Sequence, residues 1–229
     1  MDPVAIAALR RSYELAGLDA SDVDPDPMAQ FARWLADVVA AEITEPNAMV
    51  LATADDSGQP RARTVLLKGV SAPPSEAGFV FYTNYHSTKA EHLRLNPHAS
   101  LCFPWIELER QVIVEGIVSE VSAQESALYF RSRPRGSQLG ALASRQSEVI
   151  ASRDVLTERF AELSEQYPDD TEIPAPDFWG GYRLVPELIE FWQGRGNRLH
   201  DRIRYRRSSP DGSVGSAGAA AWTIERLAP

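Results

Sequence analysis

Cysteine is almost absent from this chain, which has one, Cys102, among its 229 residues. A single cysteine excludes an intrachain disulfide and is typical of reducing compartments, so the sequence predicts a cytoplasmic location. The apolar run around it, Ser100–Phe103, favours a buried structural thiol over a nucleophile. The chain also lacks an apolar run of membrane-spanning length, and Met1-Asp2-Pro3 opens neither a basic nor an apolar signal segment.

Basic residues are in deficit, with 23 Lys and Arg against 32 Asp and Glu and a formal net charge of −9. This balance argues against general nucleic-acid binding, and any anionic ligand requires a local basic pocket on an acidic background. His86, His92 and His98 are too scattered to predict a metal site. No linker or internal repeat divides the chain, so residues 1–229 are predicted to form one domain.

What the sequence does contain is a series of strand patterns with helices between them. Helices are expected to start after Asp26 and after Ser122, the second ending at Phe130, and a longer one is expected over 152–167. The segments 69–78 and 208–219 are predicted to be surface loops, the second one flexible. This order favours an α+β domain with an antiparallel barrel. Strands are predicted over 49–54, 61–68, 79–83, 98–103, 111–121, 181–192, 200–207 and 221–227.

A basic group follows the segment Phe191–Gly194 and consists of Arg198, His200 and Arg202. In an extended strand successive side chains alternate in direction, so these three are predicted to share one face. Gathering them there is unfavourable unless an anion or a polar ring faces them, which indicates a ligand site. An exposed edge strand with solvated charges explains the pattern equally well.

A second basic group lies upstream, in the strand pattern Arg63–Lys68. Arg63 and Lys68 differ in parity, so they are predicted to face opposite sides of that strand, where they could serve two different anions. Further along, Ser87 is a candidate N-cap with Lys89 in the first turn, an arrangement that can bind phosphate. A lysine at a helix start that contacts only water explains this pattern as well.

A third group combines a phenol, a guanidinium and a hydroxyl. Tyr129 and Arg133 are four residues apart and are predicted to share a helix face, and Ser137 follows after Pro134 turns the chain. Together the three side chains could hold one phosphate. From the residues alone, Tyr129 packed on the core with Arg133 in water is the simpler interpretation.

A series of short blocks occurs in order along the chain. From about Arg10 to the C-terminus, the series resembles the pyridoxine/pyridoxamine 5′-phosphate oxidase family, and its block at 198–202 separates that family from other flavin-binding split-barrel proteins. The blocks are Arg63–Lys68, Tyr82-Thr83, Ser87–Ala90, Glu109–Val112, Ser132–Gln138, Arg145–Ser147, Phe178–Gly181, Phe191–Gly194, Arg198–Arg202 and Arg226–Pro229.

The resemblance implies an FMN-binding split β-barrel, antiparallel and Greek-key-like, with flanking helices. It implies an FMN-dependent oxidase of vitamin B6 salvage and biosynthesis. Such an enzyme converts pyridoxamine 5′-phosphate and pyridoxine 5′-phosphate to pyridoxal 5′-phosphate, while O2 is reduced to H2O2. The resemblance also implies a homodimer with FMN at the subunit interface.

The resemblance further implies substrate contacts. Arg198 and His200 match the catalytic pair that orients the pyridine ring. Residues 1–25 match a segment expected to be mobile and to cover the substrate, although Ser12 stands where the family often has Glu. The contacts implied in that segment are Arg10, Arg11 and Tyr13, and those implied for the substrate phosphate are Lys68, Tyr129, Arg133 and Ser137.

For the cofactor, Arg63 and Lys89 match positions at the FMN phosphate. Thr88 departs from the family, which often has Arg there, so one phosphate contact is expected to be weakened or lost. Gln146 and Ser147 are expected to reach FMN from the neighbouring subunit. The full set implied for FMN is Arg63, Thr64, Val65, Leu66, Leu67, Lys68, Tyr82, Thr83, Thr88, Lys89, Gln111, Gln146, Ser147, Trp192 and Arg202.

Two other classes of function stay open from the sequence. A deazaflavin-dependent reductase of the same barrel group has no reason to keep Tyr129, Arg133 and Ser137 together with Arg198 and His200. A non-catalytic module that stores flavin or pyridoxal phosphate needs the phosphate contacts but not Arg198 and His200. Turnover with oxygen separates both from an oxidase.

Overall fold

The structure is a computed structural model that describes residues 12–71, 77–207 and 222–229. None of the helices it describes combines the length and the apolar character needed to cross a membrane. The helices are α1 (Pro27–Ala40), α2 (Thr88–Leu95), α3 (Ala123–Ser132), α4 (Arg135–Ala143) and α5 (Asp154–Gln166). The strands are β1 (Ala48–Ala54), β2 (Pro60–Leu66), β3 (Gly69–Ser71), β4 (Gly78–Asn84), β5 (His98–Trp105), β6 (Arg110–Glu120), β7 (Trp179–Gln193), β8 (Asp201–Arg207) and β9 (Trp222–Leu227).

These strands form one sheet in the order β2-β1-β5-β6-β7-β4-β3, and β8 pairs with both β7 and β9. The pairs β3–β4, β4–β7, β7–β8 and β8–β9 are antiparallel. In the β4–β7 register Tyr82 lies opposite Gly181. A Cβ atom at Gly181 would lie 2.7 Å from Cε1 of Tyr82, so glycine at this position leaves room for the tyrosine ring. An α+β protein with an antiparallel sheet and flanking helices is what the sequence predicts.

The chain divides into two compact units, each discontinuous in sequence. The first comprises Met1–Met49, Leu101–Glu115 and Pro186–Pro229, and the second comprises Val50–Ser100 and Gly116–Val185. Strands β1, β5, β6 and β7 contribute residues to both.

The first unit contains α1, whose N-terminus is capped as predicted. The carboxylate of Asp26 accepts the Met28 N–H at 2.9 Å, and Pro27 occupies the first turn, where its missing N–H costs no hydrogen bond. The helix is anchored by aromatic packing, because Phe31 is fully buried with its ring 4.9 Å from that of Phe103. Aromatic burial of this kind is the main stabilising term available to an amphipathic helix.

The second unit carries α2 to α5. Its helix α3 begins at the predicted N-cap, where Oγ of Ser122 accepts the Glu125 N–H at 3.0 Å. One hydrophobic cluster joins α3, α4 and α5 to the start of β7 and thereby fixes the loops between these helices. Its buried members are Phe130, Leu139, Leu163, Ile173 and Trp179.

The strand predictions are confirmed, each with boundaries within about two residues. The loop predicted over 69–78 is wrong at its start, because Gly69–Ser71 pairs with β4 as strand β3. Helix α4 was not predicted, since Pro134, Gly136 and Gly140 weaken the helical signal there. The flexible loop expected over 208–219 lies outside the described residues.

Candidate active site

One pocket of the second unit brings together most of the residues implied for FMN and for the substrate phosphate. Its volume is about 830 Å³. No Asp or Glu is among the described residues that line it, although the whole chain is acidic, so its cations can attract an anion. The lining consists of Arg63, Thr64, Val65, Leu66, Lys68, Tyr82, Thr83, Asn84, Thr88, Lys89, Tyr129, Arg133, Pro134, Ser137, Gly140, Ala141, Ser144, Gln146, Ser147 and Trp179.

Lys89, in the first turn of α2, is the most buried cation of this pocket, with 8% of its surface exposed. Its Nζ donates to the side-chain oxygens of Gln146 at 2.7 Å, Thr83 at 3.0 Å and Ser87 at 3.2 Å. Burial, and then the positive charge of Arg63, lower the pKa of Lys89 to about 8. Neutral oxygens thus satisfy the ammonium group without neutralising it, which leaves its charge for a ligand.

Arg63 projects from β2 and is held from behind by β1. Its Nη1 donates to Oγ1 of Thr53 at 2.7 Å and to the backbone oxygen of Leu51 at 3.1 Å. Burial, followed by repulsion from Arg61, lowers the pKa of Arg63. Both of its backbone-side partners are neutral, so the guanidinium keeps its full charge beside Lys89.

Arg63 and Lys68 line the same pocket, so the prediction that they face opposite sides of one strand is wrong. Strand β2 ends at Leu66, and Lys68 lies beyond it. The alternation of side chains holds only while the backbone stays extended and paired, and parity therefore says nothing about a residue after the strand has ended.

Tyr129 and Arg133 line the pocket beside Trp179. The ring of Tyr129 stacks on Tyr82 with centroids 4.0 Å apart, and the guanidinium of Arg133 lies 4.7 Å from the Trp179 ring centroid. Nη1 of Arg133 is buried and has no hydrogen-bond partner among the described residues, and burial lowers the pKa of Arg133. A buried guanidinium nitrogen without a partner is unfavourable until an acceptor reaches it, so an anion is expected there.

The predicted shared helix face of Tyr129 and Arg133 is wrong in detail. Helix α3 ends at Ser132, and Arg133 adopts an extended conformation as its C-cap. Pro134 then starts α4, which carries Ser137 in its first turn and places that hydroxyl at the pocket.

Gln146 and Ser147 were expected to come from a neighbouring subunit, and that expectation is wrong for this pocket. Both residues line the pocket of their own chain. Gln146 accepts from Lys89, as above, and Oγ of Ser147 accepts the Thr88 N–H at 3.2 Å. Helix α4 runs back to α2 and returns these two residues to it, which sequence separation alone could not reveal. Thr88 supplies its backbone here, so its departure from the family leaves this contact intact.

The first unit holds a separate group around His200. Its imidazole lies 4.7 Å from the Trp192 ring and 5.7 Å from the Tyr13 ring, measured between centroids. Nδ1 of His200 accepts the Arg195 N–H at 3.1 Å. In the neutral ring the proton therefore resides on Nε2, which can donate to a ligand but cannot accept a proton from one.

The prediction that Arg198, His200 and Arg202 share one strand face is wrong. Arg198 ends a 3₁₀ turn with a left-handed backbone (φ 63°), and β8 begins only at Asp201. Arg202 lies on β8 opposite Trp192 and forms a two-point ion pair with Glu190, at 2.8 and 3.0 Å. Arg198 is exposed, so of these two arginines it is Arg202 whose charge is matched within the chain.

The segment that carries Tyr13 is attached to the first unit by buried carboxylates that the sequence analysis missed. Glu109, in a left-handed conformation and 8% exposed, accepts the backbone N–H groups of Glu14 and Leu15 at 2.9 and 3.1 Å. Asp201 accepts the Leu18 N–H at 3.0 Å. No local pattern marks such residues, because their partners are backbone groups far away in the sequence.

The remaining predicted residues are placed as follows. Leu67 is buried and does not line the pocket, whereas Thr64, Val65 and Leu66 do. Gln111 lies half-buried on β6 in the first unit. Arg10 and Arg11 lie outside the described residues. Among the described residues no group of three or more His, Cys, Asp or Glu side chains is placed to hold a metal ion.

Comparison with protein families gives two matches. Residues 35–167 match the family described as pyridoxamine 5′-phosphate oxidase, and residues 179–229 match the pyridoxine 5′-phosphate oxidase C-terminal dimerisation region. A pyridoxine/pyridoxamine 5′-phosphate oxidase from Paraburkholderia phymatum is 54% identical over 98% of this chain and 99% of its own length. One from Rubrobacter xylanophilus is 56% identical over 90% of this chain and 92% of its own length.

Solved structures show the same fold. The chain resembles PhzG from Burkholderia lata 383, solved in complex with tetrahydrophenazine-1-carboxylic acid, with a TM-score of 0.83, 27% identity and coverage of 96% of this chain and 100% of that one. An FMN-binding protein related to pyridoxamine 5′-phosphate oxidase from Nostoc punctiforme has a TM-score of 0.68, 16% identity and coverage of 90% and 100%. The predicted split-barrel fold is thereby confirmed.

Proposed function

The chain belongs to the pyridoxine/pyridoxamine 5′-phosphate oxidase family, and on that premise we propose how its residues perform the activity of this family. The enzyme oxidises pyridoxamine 5′-phosphate and pyridoxine 5′-phosphate to pyridoxal 5′-phosphate and reduces O2 to H2O2. The observation that carries the assignment of its site is the cationic pocket of the second unit, which has arginine and lysine at both ends and no carboxylate among its described lining residues.

FMN is the cofactor that this pocket fits. The fit rests on Lys89 and Arg63, two buried cations whose protein partners are neutral oxygens, which suits a terminal phosphate dianion. Thr83, Gln146 and Ser147 would complete the polar wall, and Thr64–Leu66 would line the flavin. The chemistry that FMN supplies when bound is two-electron oxidation at C4′ of the substrate, with O2 as final acceptor.

The substrate phosphate is assigned to the other end of the pocket. Arg133 offers the buried Nη1 that lacks a protein acceptor, and Tyr129, Ser137 and Lys68 line the same region. Guanidinium recognition of phosphate supplies both charge and direction, so this end would fix one end of the substrate. Holding the substrate at its phosphate reduces the motion of its ring relative to the cofactor.

Arg198 and His200 are assigned to the substrate ring, and Gln111, Trp192 and Arg202 to further flavin contacts. His200 would act as a donor through Nε2–H, because its Nδ1 is already used by the Arg195 N–H. Tyr13 would cover the substrate, since Glu109 fastens the backbone beside it. The role of His200 is therefore to orient a polar substituent of the ring rather than to remove a proton from it.

A homodimer is assigned from the match of residues 179–229 to a dimerisation region. That region contains Trp192, Arg198, His200 and Arg202, which supports an FMN site at the subunit interface. Gln146 and Ser147 do not contribute to this argument, because they line the pocket of their own chain. The cytoplasmic location expected from the lone Cys102 stays a prediction.

An anaerobic titration tests the proposed function directly. Purified protein is loaded with FMN, oxygen is removed, and pyridoxamine 5′-phosphate is added while the flavin absorbance is recorded. An oxidase loses the oxidised-flavin band and regains it when oxygen is admitted, with H2O2 formed. A storage module keeps the band unchanged, and a deazaflavin-dependent reductase fails to retain FMN at the loading step.

A further inference from the structure

Arg63 is supported from behind by a buried hydroxyl that does not line the pocket. Thr53, on β1, is 3% exposed, and its Oγ1 accepts from Nη1 of Arg63 at 2.7 Å. The same Nη1 donates to the backbone oxygen of Leu51, two residues earlier on the same strand. One guanidinium nitrogen is thus fixed by β1, while the rest of the side chain lines the pocket.

A buried histidine continues this chain of hydrogen bonds. His92, on α2 and 6% exposed, places Nδ1 at 3.2 Å from Oγ1 of Thr53. Arginine can only donate, so the Thr53 oxygen is the acceptor toward Arg63 and its single proton points to His92. Nδ1 of His92 must then be unprotonated, and the direction of the whole sequence of hydrogen bonds is determined from arginine to threonine to histidine.

This arrangement solves an electrostatic difficulty. Arg63 and Lys89 lie close enough that the charge of Arg63 lowers the pKa of Lys89. Two cations that repel each other in a partly buried pocket tend to swing apart into water, and the pocket lining has no carboxylate to hold them. A neutral, buried acceptor restrains the guanidinium plane without cancelling the charge that a ligand requires.

Resting on the proposed function, we propose that Thr53 and His92 are positioning residues that hold Arg63 in the orientation that receives the phosphate of FMN. Neither residue touches the ligand in this assignment. Their effect is specific to the phosphate, because Arg63 is the only group through which they act. A purely structural role would instead change the affinity for every flavin alike.

Thr53→Val tests the proposal, since valine has nearly the same shape and lacks the hydroxyl. Apo-protein is titrated with FMN and, separately, with riboflavin, which has the same ring system without the phosphate, and quenching of flavin fluorescence gives each Kd. We expect Thr53→Val to weaken FMN binding about fivefold to tenfold and to change riboflavin binding by less than about twofold. Thr53→Ser, which restores the hydroxyl, should recover most of the FMN affinity.

The histidine is tested by a pair of substitutions. His92→Asn keeps an acceptor oxygen near the position of Nδ1, so FMN affinity should stay within about threefold of the unsubstituted protein. His92→Leu removes the acceptor and should weaken FMN binding about as much as Thr53→Val. Ser126→Ala is the matched control, because Ser126 is a buried hydroxyl of the same unit that accepts the Gly181 N–H and does not line the pocket.

A double-substitution cycle shows whether the effect passes through Arg63. In an Arg63→Ala background, Thr53→Val should cause no further loss of FMN affinity. Equal losses for FMN and riboflavin, or no loss for either, overturn the proposal, as does a full effect of Thr53→Val in the absence of Arg63. If the unsubstituted apo-protein itself fails to prefer FMN over riboflavin, the assignment of the pocket in the proposed function is what has failed.

Discussion

Arg133 is the residue whose surroundings most clearly lack a partner. Arg133→Ala should raise the KM for pyridoxamine 5′-phosphate at least about tenfold, because a charge-assisted hydrogen bond to phosphate contributes roughly 1.5–3 kcal/mol. FMN should stay bound, since Lys89 and Arg63 are untouched. Steady-state kinetics with flavin quantification measure both quantities. Arg131→Ala is the control, because Arg131 is exposed and pairs only with Glu172. Loss of FMN with an unchanged KM would show that the two phosphates are assigned in reverse.

Lys89 makes a prediction about pH, because burial and Arg63 lower its pKa to about 8. Below pH 8 the ammonium form is present and attracts phosphate; above it the free protein loses that charge, so FMN affinity should fall as pH rises through 8. The fall can reach at most about tenfold per pH unit for one group. Fluorescence titrations from pH 6.5 to 9.5 check it.

The matched variant for this pH prediction is Lys89→Met. It should bind FMN more weakly at pH 7 and show no further decline as the pH rises through 8. A profile of Lys89→Met that still falls as steeply as that of the unsubstituted protein would assign the titration to another group.

At the scale of elements, the turn before β8 and the strand itself have different roles. His200→Ala should lower kcat/KM substantially, because the ring of the substrate loses a donor and misplacement by about 1 Å can cost about a hundredfold. FMN content and thermal stability should change little, since His200 is only half-buried. Rapid anaerobic mixing with pyridoxamine 5′-phosphate isolates this effect from the oxygen step.

Arg202, on the strand, is the contrasting case. Arg202→Ala would leave the carboxylate of Glu190, 8% exposed, without its two-point partner, so the melting temperature should fall together with the activity. Glu190→Gln in addition to Arg202→Ala should recover part of that stability. Normal turnover in both His200→Ala and Arg202→Ala would favour the solvated edge strand and remove the main support for the ring-facing pair.

Element positions were predictable from local patterns. Strand alternation around Met49–Ala54 and the caps at Asp26 and Ser122 depend on residues within a few positions of each other, and the structure places these elements as expected. Helix α4 could not be predicted, because its stability comes from packing Leu139 into the cluster with Phe130 rather than from its own propensity.

For the whole molecule, we predict a homodimer that binds FMN in preference to FAD. The warrant for the dimer is the match of residues 179–229 to a dimerisation region, and that for FMN is the pair Arg63 and Lys89, which suits a terminal phosphate. Light scattering during size-exclusion chromatography gives the mass, and competition titration gives the flavin preference. A monomer that retains one FMN per chain would contradict the shared site.

The sequence by itself determined the family, the fold class and the residue types that can bind two phosphates, because these depend on the order and identity of residues along the chain. Only the tertiary structure decided which of those residues meet. The end of β2 at Leu66 brings Lys68 to the pocket of Arg63, and the β7–β8 register pairs Arg202 with Glu190. The physical reason is that the partners of a buried charge, such as Thr53 and His92 behind Arg63, are set by packing between distant segments, which no local period records.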